Sequence, residues 1–315
     1  MSSDTNNAHI NDRRPSGIII LNKPKHFTSH DCVSVMRRLT GIKKIGHAGT
    51  LDPMAEGVLP ICIGSATRIM EYLGGDTKEY RCTMRLGVTT DTMDIWGRET
   101  RSCAPQVSKG EIKEALEKFS GVISQMPPVY SAIKVNGRHL YDYARAGEDV
   151  TISPRKVTIY SSAFLSRVGD DVTFVVECSK GTYIRSLCSD IGDALGCGAC
   201  MSGLTRLRSG VFRIENSVTM DELKGMSRDE IFGIMKSPDY PLVYFGSVEM
   251  DRDAATDLIN GKIIDADAVR VTKSSECERM YNMYYAGKFI GTALMSGDGK
   301  TLKAHKIFNV CVGTE

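Results

Sequence analysis

Alternating apolar and polar residues identify the clearest strand of the chain. In residues 78–86 an apolar side chain falls at every second position, beginning with Tyr80, and charged or hydroxyl side chains occupy the positions between. This period of two predicts a strand with one buried face. Four further apolar segments are predicted strands: residues 18–21, 58–63, 157–166 and 172–178.

Apolar residues at helical spacing predict several helices. After Thr28 or Ser29, either of which would cap a first turn, apolar residues recur at three- and four-residue intervals until Thr40 and Gly41. Four more helical segments are predicted at residues 65–74, 109–119, 185–195 and 218–238.

The pattern changes at both ends of the chain. Residues 1–16 are polar and without periodicity, which predicts a disordered tail. A composition change near residues 239–241 separates a main unit, residues 17–240, from residues 241–315. The latter contain a short helix after Asp251 and four short apolar strands, at residues 269–272, 281–285, 289–294 and 302–310. They are predicted to form a small β-barrel-like module.

Composition excludes several classes of protein. The 315 residues are 42% hydrophobic and 25% charged, with a net charge of +2, as in an ordinary globular protein. No apolar run approaches the length needed to span a membrane. Ten cysteines without framework spacing, and no apolar signal segment, lead us to expect a cytoplasmic protein. Cys197 and Cys200 form the sole CxxC motif, and without further ligands nearby we expect buried thiols rather than a metal site.

Residues 47–60 contain a carboxylate on a constrained loop. Gly49 and Gly57 permit unusual backbone conformations, Pro53 restricts Asp52 before it, and a buried strand follows. Such a rigid position suits a catalytic carboxylate. Taken alone, the segment fits an Asp-Pro turn in which Asp52 bonds its own backbone better than it fits a catalytic loop.

Other segments carry candidate site residues with structural alternatives. Tyr80 lies at a strand entrance, either as a core-edge ring or at the mouth of a cleft, and Arg185 lies at a strand-to-helix junction or on the surface. Asp94 belongs to a polar loop that either bonds itself or contacts a ligand.

Residues 125–147 form a long excursion in which tyrosines alternate with cations. This mixture suits stacking on bases and contact with phosphates. The alternative is a hairpin and helix that only cover the core. The candidate RNA-binding residues are Lys134, Arg138, Tyr141 and Arg145, together with Arg206 and Arg208 in a later basic segment.

Three motifs in this order resemble the TruB family of tRNA pseudouridine synthases. They are residues 47–53 (His-Ala-Gly-Thr-Leu-Asp-Pro), Lys78-Glu79-Tyr80, and residues 180–185 (Lys-Gly-Thr-Tyr-Ile-Arg). The resemblance runs from about Gly17 to the end of the chain. It implies an α+β pseudouridine synthase fold with a central mixed, mainly antiparallel sheet, an RNA-gripping insertion at residues 125–147 and a C-terminal PUA-like β-barrel domain.

The resemblance also implies a reaction and residue roles. The reaction is isomerisation of uridine 55 in the tRNA T-arm, with Asp52 as the reacting carboxylate and without metal or organic cofactor. Tyr80 would stack on the uracil and assist proton transfer, and Arg185 would pair with Asp52. The remaining implied substrate contacts are Tyr183 and Leu204 in the pocket wall, His47 as a brace for the RNA loop and Asp94 on the extruded nucleotides.

Two other functions fit parts of the pattern. An RNA chaperone would use the same surface without catalysis, although the motif residues argue against binding alone. A glycoside hydrolase would need a second acid as proton donor, with Glu56 or Asp94 as candidates. The resemblance predicts a monomer with no obligatory protein partner and no membrane association, whose partner is tRNA.

Overall fold

The structure is a computed structural model that describes residues 15–74, 77–277 and 279–308, so residues 1–14 of the predicted tail lie outside the described residues. Within them the chain forms a ten-stranded and a six-stranded sheet and two short hairpins. The strands are β1 (Gly17–Lys23), β2 (Ile45–His47), β3 (Glu56–Ile63), β4 (Lys78–Leu86), β5 (Val88–Thr90), β6 (Glu99–Ser102), β7 (Gly121–Gln125), β8 (Lys134–Val135), β9 (Arg138–His139), β10 (Arg155–Val168), β11 (Asp171–Cys178), β12 (Ala199–Ser209), β13 (Phe212–Arg213), β14 (Val218–Thr219), β15 (Gly246–Met250), β16 (Ile263–Asp265), β17 (Val269–Lys273), β18 (Met280–Tyr285), β19 (Lys288–Met295) and β20 (Thr301–Ile307).

Helices cover the sheets and connect their strands. The α-helices are α1 (Ser29–Thr40), α2 (Lys109–Lys118), α3 (Leu140–Ala146), α4 (Ile184–Ala194), α5 (Met220–Gly225), α6 (Arg228–Gly233) and α7 (Arg252–Ile259). Short 3₁₀ segments span Gly64–Gly74, Ile214–Asn216 and Ala266–Ala268. Thr28 caps α1 through a capping box with Asp31, and Gly41 ends it in a left-handed conformation. Asp251 caps α7, as the sequence predicted.

The ten-stranded sheet is mixed and mainly antiparallel. Its order is β14-β1-β3-β12-β4-β11-β10-β7, with β2 paired to β3 and β13 to β12. The pairs β1–β14 and β3–β12 are parallel. Residues 78–86 alternate as predicted, with Tyr80, Cys82, Met84 and Leu86 buried. The predicted α+β class and mainly antiparallel sheet are confirmed.

Residues 199–209, for which the sequence predicted no helix or strand, form strand β12 between β3 and β4 at the centre of the sheet. Two register shifts, at Met201/Gly203 and Arg206/Arg208, break its alternation. A bulge shifts the period of two by one residue, so no strand pattern is visible in the sequence. The segment predicted as helical at residues 218–238 contains α5 and α6, but it begins with β14 on the sheet edge.

The six-stranded sheet lies in the C-terminal part of the chain, in the order β16-β20-β19-β18-β15-β17, and curls into a half-barrel. Strands β15 and β16 are additions to the four predicted strands. The sheet packs on the main unit through an apolar cluster that includes Ile18, Phe212, Leu242, Phe245 and Phe308. We place the boundary between the two units at residue 240 as a proposal.

Candidate active site

The loop that carries Asp52 lies between β2 and β3 and is fixed on both sides. The Leu51 amide donates to Ser29 Oγ (3.0 Å), and the His26 amide donates to the Pro53 carbonyl (2.8 Å). The Ala55 amide donates to the Asp52 carbonyl (3.0 Å), which closes a turn. The predicted turn is therefore present, and the remaining question is the partner of the Asp52 carboxylate.

Arg185 is that partner. It begins the first turn of α4 and is 5% exposed. Its Nε lies 2.9 Å from Asp52 Oδ2 as an ion pair without hydrogen-bond alignment, and Nη2 donates to Asp52 Oδ1 (3.3 Å). The same guanidinium donates to the carbonyls of Thr92 (3.1 Å) and Tyr130 (2.8 Å). Backbone carbonyls from two segments distant in sequence therefore hold this cation against the carboxylate.

Asp94 lies on the other side of Arg185, with Oδ2 3.6 Å from Arg185 Nη1. Its Oδ1 accepts hydrogen bonds from Thr92 Oγ1 (2.9 Å) and the Trp96 amide (3.1 Å), so the self-bonded loop is confirmed. Burial raises the pKa of Asp94, an effect that these hydrogen bonds and Arg185 oppose. Glu56, the other acid considered as a proton donor, accepts from Thr205 Oγ1 (3.1 Å).

A cavity of about 660 Å³ opens in front of Asp52 and brings most of the predicted residues together. Tyr80 forms part of its wall and is 6% exposed, and burial raises the pKa of its phenol, which therefore stays protonated at neutral pH. The remaining predicted residues that line this cavity are His47, Lys134, Tyr183, Arg185, Leu204 and Arg206. Asp94 does not line it.

His47 ends β2 at the cavity wall. Its Nδ1 is buried and has no hydrogen-bond partner among the described residues. Burial, and secondarily the Arg206 cation, lower the pKa of His47, so the ring is neutral at pH 7. The cavity wall therefore contains a neutral ring at His47.

Two of the predicted RNA-binding residues, Arg206 and Arg208, have hydrogen-bond partners within the protein. Arg206 is 0% exposed and donates to the carbonyls of Val58 (2.7 Å), Gly49 (3.0 Å) and Thr50 (3.5 Å). In this structure its charge is therefore enclosed behind the Asp52 loop, and contact between Arg206 and a phosphate stays a prediction.

Arg208, two residues later, is also directed inward. It donates to Glu177 (2.6 Å) and Thr77 (2.8 Å) and lies 3.5 Å from Glu79. Two carboxylates therefore already pair with this cation, and contact between Arg208 and a phosphate stays a prediction as well.

In the excursion at residues 125–147 the cations and rings contact each other. Arg138 pairs with Glu148 (2.8 Å) and lies over the Tyr143 ring, and Arg145 lies over Tyr141. Tyr141 in turn stacks on His139, with ring centroids 5.0 Å apart. RNA binding by Lys134, Arg138, Tyr141 and Arg145 stays a prediction.

Gln125 is a positioning residue that the sequence did not indicate. It is 1% exposed at the end of β7, its Nε2 donates to the Tyr183 carbonyl (3.0 Å), and its Oε1 accepts from the Tyr183 amide (2.8 Å). Ser186 Oγ donates to the Met126 carbonyl (2.8 Å) beside it. The excursion is thus fastened to the start of α4, in whose first turn Arg185 lies.

No group of three or more His, Cys, Asp or Glu side chains in residues 15–74, 77–277 and 279–308 is arranged to hold a metal ion. Cys197 and Cys200 are buried free thiols, as predicted. None of the helices described is long and apolar enough to cross a membrane.

Sequence comparison identifies two family models on the chain. Residues 37–184 match the N-terminal domain of TruB family pseudouridylate synthase, and residues 185–232 match the C-terminal domain of tRNA pseudouridylate synthase B. Among curated relatives, tRNA pseudouridine synthase B of Alkaliphilus oremlandii is 39% identical over 94% of this chain and 98% of its own. That of Syntrophus aciditrophicus is 53% identical over 66% of each chain.

Solved structures show the same fold. A chain of a Cbf5-Nop10-Gar1 complex has a TM-score of 0.69 at 26% identity and covers 92% of this chain and 84% of its own. A chain of an H/ACA ribonucleoprotein bound to a substrate RNA containing 2′-deoxyuridine has a TM-score of 0.69 at 24% identity. It covers 93% of this chain and 85% of its own. The second likeness supports the fold alone.

Proposed function

The chain belongs to the TruB family and is a tRNA pseudouridine synthase, and we propose that it isomerises uridine 55 in the T-arm loop through Asp52. The observation that carries this proposal is the Asp52–Arg185 ion pair at the cavity, with Oδ2 2.9 Å from Nε. The pair supplies a carboxylate whose orientation is fixed by the neighbouring guanidinium.

The reaction breaks the bond between C1′ of the ribose and N1 of uracil, turns the base, and joins C1′ to C5. The proton on C5 is lost and N1 gains one, so the product is an isomer of the substrate. Asp52 acts either as a nucleophile or by assisting a glycal-type intermediate. Tyr80 contributes a stacking surface for the uracil. Its phenol also serves as a hydrogen-bond donor, because its raised pKa disfavours the phenolate form.

A uridine inside a folded loop reaches this cavity only after it leaves its stack, at a cost of a few kcal/mol. We assign His47 to the space that the uridine leaves, since its neutral ring lies in the cavity wall. Tyr183 and Leu204 enclose the extruded base. Contacts from the excursion, and from the PUA-like unit at residues 241–315, offset the unstacking.

Family membership and the carboxylate environment favour isomerisation over glycoside hydrolysis. Glu56 is bonded to Thr205, and Asp94 has one oxygen in its own loop and the other facing Arg185, so neither is free to protonate a leaving group. We propose that the protein acts as a monomer, without an obligatory protein partner.

The test is replacement of Asp52 by Asn, which keeps the shape and removes the charge. We expect Asp52→Asn to form no pseudouridine in an unmodified T-arm stem-loop, by mass-spectrometric mapping, while its affinity for the RNA stays near that of the wild type. Asp221→Asn, on an acid that pairs only with the exposed Lys224, is the matched control and should retain activity. Turnover by Asp52→Asn contradicts the mechanism, and a wild-type product at another uridine contradicts the substrate.

A further inference from the structure

An exposed aromatic pair lies next to the reaction centre. Trp96, the sole tryptophan of the chain, is 53% exposed. Its ring stacks on that of His26, with centroids 5.2 Å apart and an angle of 11° between planes. Ile95 beside it is also exposed. A stacked pair of rings at the surface offers the kind of apolar face on which a planar ligand can rest.

Both rings are tied to the groups that surround the Asp52 carboxylate. The Trp96 amide donates to Asp94 Oδ1, and the other oxygen of Asp94 faces Arg185. The His26 amide donates to the carbonyl of Pro53, the residue after Asp52. The pair therefore has a fixed position beside the catalytic centre and outside the cavity that holds the target base.

The backbone that presents the rings is rigid and unusual. His26 has φ 68° and Met93 has φ 61°, a region that residues other than glycine rarely adopt and that clusters at functional sites. The Ile95 amide donates to the Met201 carbonyl (2.9 Å), and the Met201 amide donates to Met93 (3.0 Å). The Trp96 loop is thus pinned to β12, which reduces the entropy lost when a ligand binds.

Exposed apolar side chains also lie on the second segment that contacts Arg185. The Arg185 guanidinium donates to Thr92 on one side and to Tyr130 on the other, so the Trp96 loop and the start of the excursion flank it. On the excursion side, Met126 and Val129 are exposed. Exposed apolar side chains therefore border the catalytic arginine on both sides.

We propose that the Trp96–His26 stack is a platform for a nucleobase of the substrate RNA, one that adjoins the target uridine in sequence. The proposal rests on the proposed function. Extrusion of the target removes a stacking partner from its neighbours. An aromatic face next to the cavity replaces that partner, and it does so for any base because every base has a π-face.

The single tryptophan makes the platform directly observable. Binding of an unmodified T-arm stem-loop to the Asp52→Asn protein should quench Trp96 fluorescence with the same Kd as the fluorescence anisotropy of end-labelled RNA. Stem-loops that keep the target uridine but are abasic at its 5′ or 3′ neighbour identify the stacked base. Loss of quenching with one of them supports the platform. Quenching that survives with both neighbours abasic, or is absent while anisotropy shows a complex, overturns it.

Variants test the same point by affinity. Trp96→Ala should raise the Kd roughly tenfold, and Trp96→Phe should restore most of the binding. His26→Gly removes the ring but suits the positive φ and keeps the amide donor, so it should fold normally and weaken binding less. Tyr160→Ala is the control, since Tyr160 is similarly exposed, at 54%, and lies outside the cavity wall.

Equal Kd changes in Trp96→Ala and Tyr160→Ala, or a lower kcat with unchanged Kd, would show that the stack only supports the Asp52 loop and would refute the platform. Product mapping with wild-type protein separates the two proposals. A wild type that forms no pseudouridine in the stem-loop refutes the proposed substrate, whereas the fluorescence of the bound complex still decides whether a base stacks on Trp96.

Discussion

Replacement of Arg206 by Met tests whether a buried cation positions the catalytic loop. Arg206 has no exposed surface, and its two short hydrogen bonds reach Val58 O (2.7 Å) and Gly49 O (3.0 Å) on either side of Asp52. Methionine, like arginine, is unbranched, but its side chain is uncharged and has no hydrogen-bond donor. The substitution therefore removes the bonds while it fills most of the space.

The magnitude follows from the number of bonds lost. A hydrogen bond from a charged donor contributes roughly 1.5–3 kcal/mol, so two contribute roughly 3–6 kcal/mol. Removal of the buried charge recovers part of its desolvation cost. We expect the free energy of unfolding to fall by about 3 kcal/mol, within the roughly 5–15 kcal/mol of a typical domain, so Arg206→Met should still fold. Displacement of the Asp52 loop by about 1 Å should lower kcat on the order of 100-fold.

The assays are urea unfolding, single-turnover pseudouridine formation and RNA affinity as a function of salt. Arg208→Met, which removes a cation from Glu79 and Glu177 instead of the loop, is the matched control. We expect it to lower stability modestly and to leave kcat near that of the wild type. Arg206→Met could instead keep the wild-type kcat but bind RNA more weakly, with a slope of log Kd against log salt concentration that is smaller by about one. That result would show that Arg206 contacts a phosphate and would refute the positioning role.

Two further predictions concern other buried polar residues. Gln125→Leu should lower the free energy of unfolding by about 2 kcal/mol, because it leaves the Tyr183 amide without its partner and removes one donor from the Tyr183 carbonyl, which keeps the Leu187 amide. It should lower kcat more than affinity. Loss of affinity alone, or an equal effect of the exposed Gln106→Leu, would contradict this. Burial lowers the pKa of Lys23 from 10.5 to about 8. Between these pH values the unfolded chain binds more protons than the folded protein, so the folded protein becomes more stable as the pH rises. In urea titrations, the free energy of unfolding of the wild type minus that of Lys23→Met should therefore rise by about 1.4 kcal/mol from pH 7 to pH 9. A difference that stays flat or falls would refute this prediction.

The predictability of the fold depended on whether each element had a simple exposure pattern. Strand β4 has one buried face and was predicted to the residue, and α1 was recognised from its capping residue and glycine end. Strand β12 was missed although it is central, because bulges interrupt its alternation and a buried arginine occupies a core position. Local patterns report burial of side chains and cannot report that a charge is buried among backbone carbonyls.

The same distinction explains what could be predicted of the site. Asp52, Tyr80 and Arg185 belong to motifs with a recognisable order, and the structure brings all three to one cavity. The carbonyl and carboxylate partners of Arg206 and Arg208 could not be predicted, because a basic residue in sequence carries no information about its partner. Gln125 gave no signal, since its role consists of two hydrogen bonds to a residue 58 positions away in the chain.

The contacts of α4 connect RNA binding with the reacting carboxylate. Residues 125–130 are attached to this helix by the Gln125–Tyr183 pair, by Ser186 Oγ on the Met126 carbonyl, and by the Arg185 guanidinium on the Tyr130 carbonyl. The same guanidinium holds Asp52. The first part of the excursion therefore cannot leave α4 without the loss of a hydrogen bond from Arg185. We expect that RNA that displaces this segment would remove a partner that shares the cation with Asp52, which would couple binding of the substrate to orientation of the carboxylate through one side chain.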